Sequence, residues 1–199
     1  MIYIYKHLTI FFYPFIILLI FLRTFFKKED NIRYKEKIFS SYFLPKRDLK
    51  KKLIWFHAAS IGEVQSIFPL IERLNEKKKD LEFLITTVTL SAGNLVQKKI
   101  YEHSNIQHRY FPLDVNFLIK KFLTFWKPDL IIFVDSEIWP NLIFEIKKRK
   151  ICSVLLNARI TKKTFNRWKI ITKLAKNNIS TFDLCLSSSK ESKDYLDNI

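Results

Sequence analysis

From residue 53 onward the sequence predicts an α/β domain built on a doubly wound parallel sheet. Six apolar runs of strand length alternate with six segments of helical spacing. That βαβα rhythm places helices on both faces of a mostly parallel sheet. The runs are apolar without alternation, as strands buried on both faces require. A third observation lies ahead of the domain, an apolar amino-terminal segment of membrane-anchor length. The expected organisation is an anchor over 1–26, a basic linker over 27–52 and the α/β domain over 53–199.

The anchor comes first. "LTIFFYPFIILLIFL" (8–22) is 15 residues without a charge, and extension back to Ile2 adds only Lys6 and His7 as costly members. A span needs roughly 20 apolar residues, and a lysine near one end can snorkel. Residues 2–22 therefore just reach across a bilayer, with Pro14 as a kink point. Arg23, Lys27, Lys28, Arg33, Lys35 and Lys37 follow, and a positive flank predicts a cytoplasmic carboxyl-terminal side. A cleaved signal peptide fits less well, because "RTFFKKED" has no small-x-small site and the charge is on the wrong flank. A helix lying in the interface is the alternative reading.

The domain elements follow in order. "LIWFHAAS" (53–60) precedes the helical "IGEVQSIFPLIERLNEKKK" (61–79), and "EFLITTVT" (82–89) precedes "SAGNLVQKKIYEH" (91–103). "IQHRYFPLD" (106–114) precedes "NFLIKKFLTFW" (116–126), and "DLIIFVDSEIW" (129–139) precedes "PNLIFEIKKRK" (140–150). "ICSVLLNAR" (151–159) precedes "TKKTFNRWKIITKLAKNN" (161–178), and "DLCLSSS" (183–189) precedes "KESKDYLDNI" (190–199).

In such a sheet ligands bind at the carboxyl ends of the strands. Polar residues gather there: His57, Ser60 and Glu63 after the first strand, and Thr86, Thr87 and Thr89 after the second. Asp135, Ser136 and Glu137 follow the fourth strand, and Asn157 and Arg159 the fifth. The 2 glycines, Gly62 and Gly93, lie there too. Ser60 to Glu63 has the S-x-x-E form of a capping box, with the glutamate expected to reach back to the Ser60 N–H. Capping accounts for Ser60 and Glu63 but not for Gly62, since glycine in a helix costs roughly 1 kcal/mol against alanine. A bare backbone there permits close approach of a ligand. Asp135 and Glu137 are two apart at a strand end and share a face. They could supply a base and an orienting group, or cap the helix that Pro140 opens. G-x-G-x-x-G and P-loop motifs are absent.

Composition limits the function classes. Apolar content of 48% with 19 Phe supports a sizeable core, and a net charge of +16 favours polyanionic partners, although abundant Lys, Ile, Phe and Asn also suggest compositional bias. Basic residues are spread along the chain without a nucleic-acid-binding module. Cys152 and Cys185 lie in apolar runs and read as buried, inert thiols. The 4 histidines form no metal motif, so neither metal nor cofactor is expected.

"WFHAASIGEV", "PLIERL", "ITTVTLSAGN", "FPLD", "VDSEIWPNL" and "LLNARI" stand in the order found in bacterial 3-deoxy-D-manno-octulosonic acid (Kdo) transferases, which this sequence resembles over nearly its whole length. The resemblance implies a Rossmann-like amino-terminal domain of a two-domain GT-B glycosyltransferase. It implies transfer of Kdo from CMP-Kdo to a lipid A precursor at the cytoplasmic face of the inner membrane. Glu63 is implied as the general base and Glu137 as a second acidic residue. Ser60, Gly62, Thr86, Thr89, Gly93, Asp135, Asn157 and Arg159 are expected around the acceptor. Asp135 and Ser136 stand where the family has Glu and Thr, and "TLSAGN" departs from its Thr-Pro-Thr-Gly. The expected partners are the lipid A precursor, an anionic membrane surface and, through a carboxyl-terminal domain outside this sequence, CMP-Kdo. The chain is expected to be an acceptor half, inactive alone. The alternatives are a non-catalytic membrane-anchored module that holds anionic lipid, and a GT-B enzyme using another nucleotide sugar.

Overall fold

The computed structural model describes residues 2–44, 47–101, 103–135, 138–170 and 172–198. Among the described residues six strands form one sheet: β1 (Lys52–His57), β2 (Leu81–Thr87), β3 (Ile106–Tyr110), β4 (Leu130–Val134), β5 (Cys152–Ala158) and β6 (Leu184–Ser187). All pairings are parallel, in the order β3-β2-β1-β4-β5-β6. The chain winds outward from β1 to β3, returns to β4 beside β1, and winds outward again. The order reverses between β1 and β4, and in doubly wound sheets that reversal opens a crevice at the carboxyl ends of the strands.

The helices are α1 (Ile2–Phe25), α2 (Lys35–Ile38), α3 (Ile61–Lys77), α4 (Leu90–Lys99), α5 (Asn116–Trp126), α6 (Pro140–Arg149), α7 (Lys162–Ile170), α8 (Thr172–Ile179) and α9 (Lys190–Asp197). Strand parity divides the core into two layers. Leu53 and Trp55 of β1 pack with Leu118, Phe122 and Trp126 of α5 and with Leu142 and Ile146 of α6. Ile54 and Phe56 point the other way, onto Val64, Ile67 and Ile71 of α3 and Val96 of α4. Both parities are therefore apolar, and each large side chain so buried contributes roughly 1.5–3 kcal/mol. Pro140 opens α6 at its first turn, where its missing N–H removes no helical bond. Lys127 and Lys150 end α5 and α6 in the left-handed conformation.

Residues 27–52, expected as a linker, are built into the domain. The α2 segment lies beside the open edge of β3, where Glu36 Oε2 accepts the Tyr110 N–H at 2.8 Å. Arg33 holds the same carboxylate through Nε at 2.8 Å and Nη2 at 3.0 Å. A backbone donor on an edge strand is thus satisfied and shielded. Lys37 Nζ is buried against Glu29 Oε2 at 2.5 Å and donates to the Val88 carbonyl at 2.7 Å. Phe43 enters the core layer of α5. Glu29, Arg33, Glu36 and Lys37 are thus paired against the fold, whereas Lys27, Lys28 and Lys50 stay exposed.

Asp114, in the loop after β3, caps α6 from a distance. Its oxygens accept the Asn141 and Leu142 N–H groups, each at 2.9 Å, and the Tyr5 hydroxyl of α1 at 3.1 Å. Burial raises the Asp114 carboxyl to about 6, and these three donors pull it down. Cys152, expected in the interior, is exposed at the start of β5, and Cys185 is half-buried.

Candidate active site

The loop from β1 into α3 is shaped by its cap. Ser60 is extended and its Oγ accepts the Glu63 N–H at 3.4 Å. The same hydroxyl donates to Glu63 Oε1 at 2.6 Å. Glu63 Oε2 accepts the Ala59 N–H at 2.7 Å. The capping box is therefore present, but its carboxylate reaches one residue further back than expected, to Ala59 rather than Ser60. Each carboxylate oxygen accepts one of these bonds, and a carboxylate offers about four acceptor positions. Glu63 thus keeps acceptor positions unused by these bonds while its orientation is fixed.

Gly62 is exposed beside it, and a Cβ built there meets nothing within 4 Å. Among the described residues no side chain demands a glycine at that position. Gly93 differs. It is buried, and a Cβ there would lie 2.5 Å from Tyr110 Oη and 2.8 Å from two ring carbons. Gly93, expected to offer its backbone to a ligand, instead makes room for the Tyr110 ring.

Thr89 caps α4, accepting the Ala92 N–H at 3.3 Å, and donates to the Ala59 carbonyl at 3.3 Å. It ties the β2 loop to the β1 loop that carries Glu63. Thr86, expected at the ligand, is sealed from solvent. Its hydroxyl accepts the Trp55 indole N–H at 2.8 Å and lies 2.9 Å from His57 Nδ1. The Trp139 indole donates to His57 Nε2 at 3.2 Å. An indole nitrogen can only donate, so Nε2 accepts and the proton sits on Nδ1, which donates to Thr86. This chain, buried at Trp55, His57 and Thr86 and half-buried at Trp139, fastens the entry of α6 to β1, across the point where the strand order reverses. Motif reading placed His57 at the strand end and left Trp139 out; the signal was the single tryptophan directly before Pro140.

On the other side of the reversal, Asn157 Nδ2 donates to Asp135 Oδ1 at 2.7 Å. Both hold left-handed backbone, with φ of 59° at Asp135 and 58° at Asn157. Arg159 is exposed beyond them, lining a polar cavity with Lys162, Ser188 and Ser189. Ser136 and Glu137 lie outside the described residues. Among the described residues, no three His, Cys, Asp or Glu side chains are arranged to hold a metal. The candidate residues thus fall into two tied groups, Ser60–Glu63–Thr89 on the β1 side and Asp135–Asn157 on the β4 side.

An apolar cavity of about 280 Å³ lies between α1 and the strand ends, lined by Leu19, Ile20, Phe111, Leu113, Trp139 and Thr89 among others. Thr89 also lines a neighbouring basic hollow with Arg23, Lys27 and Lys28.

Comparison with known proteins agrees with this architecture. Residues 33–199 match the family model described as 3-deoxy-D-manno-octulosonic-acid transferase (kdotransferase). A 3-deoxy-D-manno-octulosonic acid transferase of Rickettsia bellii is 36% identical over 166 residues, covering 83% of this chain and 38% of that protein. A probable mitochondrial 3-deoxy-D-manno-octulosonic acid transferase of Arabidopsis thaliana is 43% identical over 116 residues, covering 58% of this chain and 26% of that one. The chain thus aligns with well under half the length of these curated relatives. A putative UDP-N-acetylglucosamine 2-epimerase from Listeria monocytogenes superposes with a TM-score of 0.52 at 14% identity, over 74% of this chain and 41% of that one. At that identity the likeness is one of fold alone, a Rossmann-like sheet of GT-B type. The family match over 33–199, together with the Rickettsia relative, places this chain in the 3-deoxy-D-manno-octulosonic-acid transferase family.

Proposed function

We propose that this chain forms the acceptor half of a glycosyltransferase that moves Kdo from CMP-Kdo to a lipid A precursor. Glu63 is the general base. The acceptor hydroxyl oxygen attacks the anomeric carbon of Kdo, the bond from that carbon to the CMP phosphate oxygen breaks, and CMP departs. The hydroxyl proton passes to Glu63. The observation that carries this reading is the Glu63 carboxylate, oriented by the Ala59 N–H and the Ser60 hydroxyl beside the bare backbone of Gly62. A fixed carboxylate with spare lone pairs suits a general base.

Other features support the same reading. The apolar cavity beside α1 and the hollow formed by Arg23, Lys27 and Lys28 suit a phosphorylated lipid. The Asp135–Asn157 pair closes the opposite side of the crevice. Glu137 serves as a second acidic residue by family likeness. CMP-Kdo is held by a second domain, and neither metal nor cofactor takes part. The protein is anchored by α1 to the cytoplasmic face of the inner membrane.

The test joins this chain to a donor-binding half and follows labelled Kdo from CMP-Kdo onto a lipid A precursor. Transfer that fails when another nucleotide sugar replaces CMP-Kdo supports the reading. Acceptor binding without transfer from any donor would reduce the chain to a lipid-binding module.

A further inference from the structure

The helix α1 is long and apolar enough to cross a bilayer. Its packing points to a different placement. Residues shielded by the domain recur along it: Ile2, Tyr5, Lys6, Thr9, Tyr13, Ile16, Ile17, Ile20 and Thr24. That spacing is one helical face, continuous from first turn to last. Tyr5, Lys6, Thr9 and Tyr13 on it have partners in the domain. The Tyr5 hydroxyl donates to Asp114 at 3.1 Å, and the Lys6 ammonium lies 3.3 Å from the Phe144 ring centroid. Asn141 Nδ2 donates to Thr9 Oγ1 at 3.3 Å, and the Tyr13 hydroxyl donates to the Ile38 carbonyl. At the far end Arg23 pairs with the buried Glu29 at 2.8 Å.

A helix of 24 residues is about 36 Å long. Were it to cross the bilayer, Ile2 would lie a membrane's thickness from the domain. Instead Ile2 lines a cavity with Phe144, Lys147, Asn178 and Thr181. The α6 surface beside it exposes Lys147, Lys148 and Arg149, and such charges are costly in hydrocarbon. The domain therefore cannot follow the helix into the bilayer.

The opposite face of α1 is apolar and exposed, with Ile4, Phe11, Leu18 and Phe25 spaced seven apart along it. Phe12, Phe15, Phe21 and Leu22 widen the face, and Phe26 extends it. Arg23, Lys27 and Lys28 stand at one end of it, suited to anionic headgroups. We propose that α1 lies in the plane of an anionic bilayer, its outer face sunk into one leaflet and its inner face docked on the domain throughout. The occupant of the face is lipid, and the helix does not span. The inference rests on the membrane attachment argued above and fixes its geometry. It holds the β2 loop, through Thr89 and the neighbouring cavity, at the headgroup level.

The experiment places nitroxide labels, one at a time, at Ile4→Cys, Phe11→Cys, Leu18→Cys and Phe25→Cys in a Cys152→Ser, Cys185→Ser background. The full chain is bound to phosphatidylethanolamine–phosphatidylglycerol vesicles, and immersion is read from collisions with oxygen and a polar nickel complex. An in-plane helix gives four labels at one shallow depth, within about 3 Å, in vesicles recovered by flotation. A spanning helix displaces successive labels by about 10 Å, deepest at Phe11 and Leu18; that result would overturn the in-plane placement and leave the attachment standing. Failure to float would overturn both. Labels hidden from lipid in a dimer whose population rises with concentration would assign the face to a second copy and overturn the proposal.

Discussion

Asn157 and Asp135 sit at the ends of adjacent strands, joined by a side-chain bond of 2.7 Å, and both carry positive φ. Left-handed backbone costs roughly 1–2 kcal/mol for most residues, and Asn and Asp bear it best. Asn157→Ala loses the bond and keeps the strain, whereas Asn157→Gly loses the bond and relieves the strain. The alanine variant is expected to be less stable than the glycine variant by about 1 kcal/mol in urea unfolding. Equal midpoints would show that the backbone there is free to relax.

The two glycines answer to different demands. Gly93→Ala drives a Cβ into the Tyr110 ring, and overpacking of this kind costs about 1–3 kcal/mol. Gly62→Ala meets open space and gains helix propensity, for up to about 1 kcal/mol of added stability. If substrate approaches that backbone, the same variant loses roughly tenfold or more in transfer. Thermal unfolding beside a transfer assay separates the two, and a Gly62→Ala protein of full activity would remove Gly62 from the site.

Asp114 gives the fold a pH dependence. Its carboxyl titrates near 6 when folded, against an ordinary 3.8. Between those values the folded protein holds a proton that the unfolded chain has lost. Stability from this group therefore falls as pH rises from about 4 to about 6, and is level above. The difference in unfolding free energy between wild type and Asp114→Asn should change across that window and stay constant above it. A difference independent of pH would contradict the buried titration.

Lys37→Ala tests whether residues 27–52 belong to the domain. It leaves Glu29 buried with Arg23 as its remaining ion-pair partner. Breaking one side of such a pair costs roughly 3 kcal/mol. A loss of that size in denaturant unfolding is expected; a change within 0.5 kcal/mol, the scale of an ordinary surface substitution, would return the stretch to the status of a linker.

β1, β2 and β4 were legible in the sequence because both of their faces are buried, so their apolar runs needed no periodicity to be seen. Their ends were less so. "LIWFHAAS" continues past His57, yet pairing with β2 ends at His57 and Thr86. The charged stretch before β1 misled more deeply. Residues 27–52 were expected as a basic linker, and only the fold brings Glu36 to the β3 edge and Lys37 to the Val88 carbonyl. Ser60 and Glu63 were readable because a capping box is local. Thr86 and Gly93 were not, since what encloses them lies on other strands: Trp55 and His57 on β1 for Thr86, Tyr110 on β3 for Gly93. The partner of Trp139 was hidden for the same reason, being His57, 82 positions away.

Glu63, as proposed, takes the proton of the acceptor hydroxyl. The most direct measurement compares wild type with Glu63→Gln in the protein carrying both halves, recording Kdo transfer and acceptor binding together. The amide keeps an oxygen for the Ala59 N–H or the Ser60 hydroxyl, so the fold and the binding of lipid A precursor should survive. Turnover should fall by about 100-fold or more, as expected for loss of general-base catalysis. Unchanged turnover with acceptor binding intact would contradict the general-base role and leave Glu63 as the cap of α3 alone.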